Sequence, residues 1–119
     1  MKGVEIYQDA AVTTQSSGRI VVMLYDGAIK FLKLAIREIE SNNPEGKGVY
    51  ITKALDILYE LNTVLDTKAG EEIAQNLRSM YLFMIRHLSN ASLKQDVNMI
   101  REVPGLLEEL NEGWRAIAY

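Results

Sequence analysis

Apolar residues recur every three or four positions in four stretches of the chain, and this spacing predicts four amphipathic helices. The most regular stretch covers residues 70–91. Its first apolar row consists of Ile73, Leu77, Met80, Met84, Leu88 and Ala91. A second row, formed by Ala74, Tyr81 and Ile85, lies beside the first. One neighbouring helix could not cover both rows, so the pattern predicts that part of this apolar surface contacts a partner.

The ends of the helices are indicated by capping residues and by helix breakers. Ser16 and Ser17 can accept a hydrogen bond from a free backbone N–H at the start of the first helix, and Asp96 is expected to cap the fourth. Asn, Pro and Gly cluster at residues 41–46, where the first helix should end. The predicted elements are an N-terminal arm at 1–16 and helices at about 17–41, 46–66, 71–93 and 96–117. Short connections favour antiparallel neighbours, so we predict an all-α, up-down-up-down four-helix bundle forming a single domain over residues 1–119.

Two residues stand inside predicted helices although their types are unfavourable there. Pro104 has no backbone N–H to donate, and an interior proline destabilises a helix by about 3 kcal/mol. A kink or a break is therefore expected at Pro104. Gly27 is less favourable than alanine by about 1 kcal/mol, and its small size would permit a close approach of a second helix.

Composition excludes several classes of function. The chain has 119 residues, of which 48% are hydrophobic, and this suits one domain with its own core. It contains no cysteine, so disulfides and thiolate metal sites are excluded. The net charge of −3 and the mixing of acidic with basic residues argue against nucleic acid as a partner. The apolar run at 20–25 is too short to insert into a membrane, and the N-terminus lacks the apolar region of a signal peptide. We therefore expect a cytoplasmic protein.

No group of residues has the spacing of an active site. The single histidine, His87, follows Met84 by three positions, so the paired Glu-x-x-His motifs of di-metal bundles are absent from the sequence. The chain has no glycine-rich phosphate loop and no Gly-x-Ser-x-Gly motif. We predict no enzymatic activity, no catalytic residue, no metal and no cofactor. Two alternatives to partner binding remain: a phosphotransfer bundle with His87 as phosphate acceptor, and a structural homo-oligomer whose apolar faces meet each other.

Beyond these patterns, the chain resembles the FliS family of flagellar export chaperones along nearly its whole length. The resemblance rests on residues distributed over all four predicted helices. They are Met23-Leu24-Tyr25-Asp26-Gly27-Ala28, Lys53-Ala54, Glu60-Leu61, Leu65-Asp66, Gly70, Glu72-Ile73-Ala74, Asn76-Leu77, Tyr81, Met84, Ile100, Glu102-Val103, Leu106-Leu107 and Trp114. Ser17 departs from the family pattern, which often has proline there, and Pro104 is also unusual.

The resemblance implies a four-helix bundle that binds the C-terminal segment of flagellin, prevents its premature polymerisation and aids its delivery to the export apparatus. It also implies contacts with other flagellar regulators or export components, and self-association as a homodimer. By its sequence alone, Tyr7 is either an aromatic residue resting on the bundle surface or a plug for an apolar groove. The family resemblance favours the plug and extends it to Val4.

The candidate partner-binding residues lie in the arm and on the second and third helices. They are Val4, Tyr7, Ile57, Leu61, Val64, Ile73, Ala74, Asn76, Leu77, Tyr81 and Met84. Leu61 and Leu77 are expected to lie in the core as well.

Overall fold

The described part of the chain is a bundle of four long α-helices. The computed structural model describes the backbone of residues 15–68 and 71–118, and the side chains of residues 18–65, 72 and 74–116. Within these residues the helices are α1 (Gln15–Glu40), α2 (Pro44–Lys68), α3 (Glu71–Lys94) and α4 (Val97–Ala118). α1 packs against α2 and α4, and α3 packs against the same two helices from the opposite corner. The predicted all-α bundle is thereby confirmed.

The core is built from the predicted apolar rows of all four helices, with one shift in α1. Val21, Val22 and Tyr25 are buried, whereas Ile20 is exposed, although its three- and four-residue spacing with Leu24, Ala28 and Phe31 predicts a place in the core row of the first helix. The expectation for Ile20 was therefore wrong. Residues 20–25 are apolar without interruption, so the spacing in that run does not distinguish the inner face from the outer face.

Two turns of the same construction end α1 and α3. Each contains a residue with positive φ, which is 57° at Asn42 and 54° at Gln95. The residue after it donates its backbone N–H into the last turn of the helix: Asn43 to the Glu38 carbonyl at 2.8 Å, and Asp96 to the Ala91 carbonyl at 3.0 Å. These are Schellman motifs, which satisfy carbonyls that have no partner inside the helix.

The same two turns also begin the next helix. The Gly46 N–H donates to Asn43 Oδ1 at 3.3 Å, and Pro44 occupies the first helical position, where a missing N–H has no consequence. Asp96 Oδ1 accepts the N–H groups of Asn98 and Met99 at 3.0 and 3.2 Å. The predicted cap at Asp96 is confirmed. In each turn a single residue, Asn43 or Asp96, caps the end of one helix with its backbone N–H and the start of the next helix with its side chain.

Replacing Gln95 with glycine is expected to stabilise the protein. A side chain at a φ of 54° brings Cβ against the following carbonyl, at a cost of about 1–2 kcal/mol that glycine avoids. Glycine also increases the conformational entropy of the unfolded chain, and this reduces the net stabilisation. Gln95→Gly should therefore exceed Gln95→Ala in the free energy of unfolding by about 0.5–1 kcal/mol. Urea titration of both variants measures the difference, and equal stabilities would contradict the expectation.

The expectation for Gly27 agrees with the structure, whereas the break expected at Pro104 does not occur. A Cβ built on Gly27 would lie 3.2 Å from Ile57 Cδ1, so glycine does permit a close approach of α1 and α2, as predicted. α4 continues from Val97 to Ala118 with Pro104 inside it and buried. The predicted break at Pro104 was wrong, because packing of this buried stretch stabilises the helix on both sides of the missing hydrogen bond. The kink, which was the other expectation, stays a prediction.

Within the described residues, none of the helices combines the length and the apolar character that are needed to cross a lipid bilayer.

Candidate functional site

An apolar groove runs between α3 and α4. Met80, Phe83 and Met84 line it from α3 at the spacing that places residues on one side of a helix, and Leu106 lines it from α4. Ser79 completes the lining, and the volume enclosed is about 300 Å³. The Phe83 side chain is 48% exposed although it is a large apolar group. The groove therefore presents apolar surface that the described helices do not cover.

His87 lies beside the groove, one turn along α3 from Phe83. Its ring stacks on the Phe83 ring with the centroids 5.2 Å apart, and its Nε2 lies 2.8 Å from Glu102 Oε2 on α4. The imidazole thus joins α3 to α4 at this point. Only 16% of the histidine side chain is exposed, since the phenyl ring and the carboxylate cover it.

This surrounding disfavours His87 as a phosphate acceptor. A phosphate donor would bring negative charge to Nε2, where the Glu102 carboxylate already lies, and like charges at such distances repel. Metal chemistry also finds no site, since the described side chains contain no cluster of three or more groups able to hold a metal ion.

Other large apolar side chains are exposed on the outer faces of the bundle. They are Ile20, Met23, Val49, Tyr59, Leu82 and Leu93. The bundle thus leaves several apolar side chains exposed, but they are not those of the double row predicted on the third helix. Of the described members of that row only Met80 is half-buried and the others are buried, so the expectation that this surface stays uncovered was wrong for them. The exposed residues occur on α1, α2 and α3, and none of the six lines the groove.

The predicted binding residues are distributed between the core, the boundary and the surface. Leu61, Ala74, Leu77, Tyr81 and Met84 are buried in the core. Ile57 and Val64 are half-buried, and Asn76 is exposed. Val4, Tyr7 and the side chain of Ile73 lie outside the described residues. Met84 is the one predicted residue that also lines the groove, and a partner-binding role for all of them stays a prediction.

Sequence reasoning did not include Phe83 or Leu106 among the binding candidates. Phe83 belongs to the continuous apolar run at 80–85, in which helical spacing alone does not show which side chain faces outward. Leu106 is followed by the buried Leu107, and the spacing of Leu107 with Ile100 and Val103 favours Leu107 as the core position of the fourth helix. The one available signal was the pair Met80 and Met84, because methionines one turn apart are typical of adaptable binding faces.

An aromatic cluster links α1, α3 and α4. Tyr25 of α1 and Tyr81 of α3 share a hydrogen bond between their hydroxyl groups at 2.6 Å across the centre of the bundle. The Trp114 ring of α4 packs against Tyr25 with the centroids 6.5 Å apart. Burial raises the pKa of both tyrosine hydroxyls above the ordinary value, because a phenolate would lose its hydration there.

The protein should lose stability as the pH rises above about 10. Tyrosines of the unfolded chain ionise there, whereas Tyr25 and Tyr81 keep their protons in the folded state because their pKa values are raised. The stabilisation by the neutral phenols is complete below that pH, and it is lost as the pH rises towards the pKa values of the folded state. Each tyrosine contributes about 1.4 kcal/mol per pH unit to this slope.

Urea unfolding at a series of alkaline pH values measures the slope. The Tyr81→Phe variant, which removes one buried phenol, should lose less stability per pH unit than the wild type. Tyr59→Phe removes an exposed phenol and should keep the wild-type slope. Equal slopes for the wild type and Tyr81→Phe would contradict the interpretation.

A polar clasp formed by Asp26, Asn111 and Arg115 holds α4 against α1. Arg115 Nη2 lies 2.7 Å from both carboxylate oxygens of Asp26, and Asn111 Nδ2 donates to Asp26 Oδ1 at 2.8 Å. Asn111 is buried, and its neighbours Glu108 and Glu112 carry charge. This side of α4 is thus fixed by polar contacts, whereas the side facing α3 offers the apolar groove.

Comparison with known proteins agrees with these features. The model of the family described as "Flagellar protein FliS" matches residues 1–119. The chain is 34% identical to the flagellar secretion chaperone FliS of Escherichia coli (strain K12), and the alignment covers 96% of this chain and 88% of that protein. It is 35% identical to the flagellar secretion chaperone FliS of Bacillus subtilis (strain 168), over 92% of this chain and 80% of that protein.

A third relative is matched from end to end. The flagellar secretion chaperone FliSB of Pseudomonas aeruginosa is 32% identical, and the alignment covers 100% of this chain and 98% of that protein. All three relatives are named as flagellar secretion chaperones, and this family role is not enzymatic.

Proposed function

Because this chain belongs to the FliS family of flagellar secretion chaperones, we propose that it binds the C-terminal segment of flagellin in the cytoplasm. In this role it prevents premature polymerisation of flagellin and aids delivery to the flagellar export apparatus. The observation that carries the proposal is the open apolar groove between α3 and α4. A groove of this kind suits the apolar face of an amphipathic helix.

The chemistry of the groove fits a partner that is disordered when free. Met80 and Met84 have unbranched side chains that can adapt to the shape of an incoming helix. Folding of a disordered segment on binding typically buries on the order of 1,000–3,000 Å² and loses roughly 2–5 kcal/mol to ordering. The groove is lined by only five residues, and so few side chains cannot account for an area of that size. The segment would therefore continue over the exposed apolar residues of the other helices.

The N-terminal arm has a part in the same proposal. Val4 and Tyr7 would cover apolar surface in the free protein and leave it when flagellin binds. The family resemblance supports this role, and both residues lie outside the described part of the chain. Ile57, Val64 and Asn76 are the previously predicted residues with side chains at least partly accessible to a bound segment.

Titration calorimetry with a peptide of the flagellin C-terminal segment tests the proposal. We expect saturable binding together with a gain of helix in the far-ultraviolet circular dichroism of the mixture. A peptide with the same composition in scrambled order is the control and should not bind. The proposal fails if the two peptides behave alike.

Sedimentation of the protein with and without the peptide tests the homodimer and the purely structural oligomer. A chaperone should form a complex whose mass includes the peptide. The sedimenting mass of a purely structural oligomer would not change when the peptide is added. Other flagellar regulators and export components remain proposed partners, to be identified by their retention on the immobilised protein and by competition with the flagellin peptide.

A further inference from the structure

The imidazole of His87 stacks on the aromatic ring that lines the groove. His87 follows Phe83 by four residues on α3, and this spacing brings two side chains together on one side of a helix. The ring planes are 25° apart and the centroids are 5.2 Å apart, as in an offset stack. The other exposed aromatic residue of the described helices, Tyr59, has no ring contact there. The exposed aromatic of the groove is thus the one that another ring supports.

Glu102 of α4 holds the imidazole from the other helix. His87 Nε2 lies 2.8 Å from Glu102 Oε2. The contact is electrostatic, because Nε2 is buried and makes no aligned hydrogen bond with any described group. Nε2 carries a proton in the imidazolium and in one of the two neutral tautomers, and a carboxylate attracts both forms. The imidazole therefore connects the phenyl ring on α3 to α4.

The histidine and the glutamate lie at one end of the groove. His87 comes one turn after Phe83 on α3, and Glu102 comes one turn before Leu106 on α4. Both steps lead towards the turn that joins the two helices. The pair thus bounds the groove at the end nearer this turn, and a chain of contacts runs from Glu102 through His87 to the Phe83 ring.

From this arrangement we infer that His87 is a positioning residue of the groove. It holds the Phe83 ring in the orientation in which a bound segment meets it, and Glu102 in turn holds His87. The inference rests on the proposed binding of flagellin and adds the residues that prepare the groove for it. An exposed side chain without such support changes rotamer within nanoseconds. Ordering it on binding would lower the affinity by about twofold to tenfold.

Titration calorimetry with the flagellin C-terminal peptide tests the role of the pair. His87→Ala should weaken binding by about twofold to tenfold, which is less than the loss expected for Phe83→Ala. Glu102→Gln should weaken binding in the same direction by a smaller factor, because the stack itself remains. Glu108→Gln is the matched control. It removes an exposed ion pair between α4 and Lys33 of α1 that does not line the groove, and it should leave the affinity unchanged.

A double-mutant cycle separates positioning from direct contact. If His87 acts only through the phenyl ring, His87→Ala should have no further effect on affinity in a protein that already carries Phe83→Ala. If His87→Ala weakens that protein by the same factor as it weakens the wild type, the imidazole contacts the peptide itself, and the positioning role is wrong.

Nuclear magnetic resonance tests the chain of contacts in the free protein. The sequence has two phenylalanines, so ring-labelled phenylalanine gives the signals of Phe83 and of Phe31, which serves as an internal reference. The decisive variant is Glu102→Gln, because it keeps the imidazole. It should shift the Phe83 ring signals and leave those of Phe31 in place, whereas Glu108→Gln should shift neither. Phe83 signals that are the same in Glu102→Gln and in the wild type would show that the glutamate does not hold the histidine, and the inference would be wrong.

The proposed function and this inference fail in different ways. If the wild type does not distinguish the flagellin peptide from its scrambled control, the proposed function is refuted and the inference with it. If the wild type binds the flagellin peptide, Phe83→Ala weakens binding and His87→Ala binds as the wild type does, the inference alone is refuted. Urea titration of each variant shows whether a loss of affinity merely follows a loss of folded protein, and a loss of that origin would also overturn the positioning role.

Discussion

Replacing Leu61 with alanine is expected to lower the free energy of unfolding by about 2–5 kcal/mol. Leu61 lies within α2 and is only 2% exposed, in contact with the buried apolar residues of the bundle core. Truncation to alanine removes buried apolar groups and leaves a cavity, because the surrounding helices close only partly around the missing atoms. Urea denaturation followed by circular dichroism measures the change, with the slope of the transition checked for constancy.

Leu93→Ala is the matched control for that experiment. The same side chain is removed, but at a position that is 85% exposed and makes little contact with the core. Its free energy of unfolding should change by no more than about 0.5 kcal/mol. Similar losses at both positions would mean that burial does not determine the effect, and the assignment of Leu61 to the core would then fail.

Replacing Phe83 with alanine is expected to weaken binding of the flagellin segment by roughly 30-fold to 1,000-fold, as is typical when a central aromatic contact is lost. Phe83 is the largest side chain lining the groove, and it is 48% exposed in the free protein. Burial of its ring by a bound helix would therefore contribute to affinity with little change in the stability of the chaperone. Titration calorimetry gives the affinity, and a urea titration gives the stability of the same variant.

Met23→Ala separates this effect from a general loss of surface apolarity. Met23 is 67% exposed on α1 and does not line the groove. Its removal should change the affinity by less than the removal of Phe83. An unchanged affinity for Phe83→Ala would place the flagellin segment on another surface and would leave the groove without a function.

Helix number and order could be predicted because the apolar spacing and the caps agree. Asp96 shows this most directly, since a side chain suited to capping stands before a regular apolar row and makes the expected bonds. The exposure of Ile20 could not be predicted from spacing, because a continuous apolar run has no polar positions to mark its outer face. Pro104 shows a tertiary effect, in which packing of a buried residue overrides the local preference for a break.

The binding surface could be predicted as a property of the chain but not as a set of residues. The excess of apolar positions on the third helix indicated that some would remain uncovered. Which ones remain so depends on the relative rotation of the helices, and a rotation of α3 by one residue position would exchange Phe83 with its buried neighbour Met84. Sequence spacing does not fix such a rotation, and most of the predicted residues on α3 therefore proved to be core residues.

The packing of Trp114 against Tyr25 has a consequence for spectroscopy. Trp114 is the only tryptophan of the chain, and its ring lies within the distance over which tyrosine passes excitation energy to indole. Emission of this single indole therefore reports whether α1 and α4 remain associated. The protein carries an intrinsic optical probe of its own assembly, and the separation of these two helices can be followed in real time without any attached label.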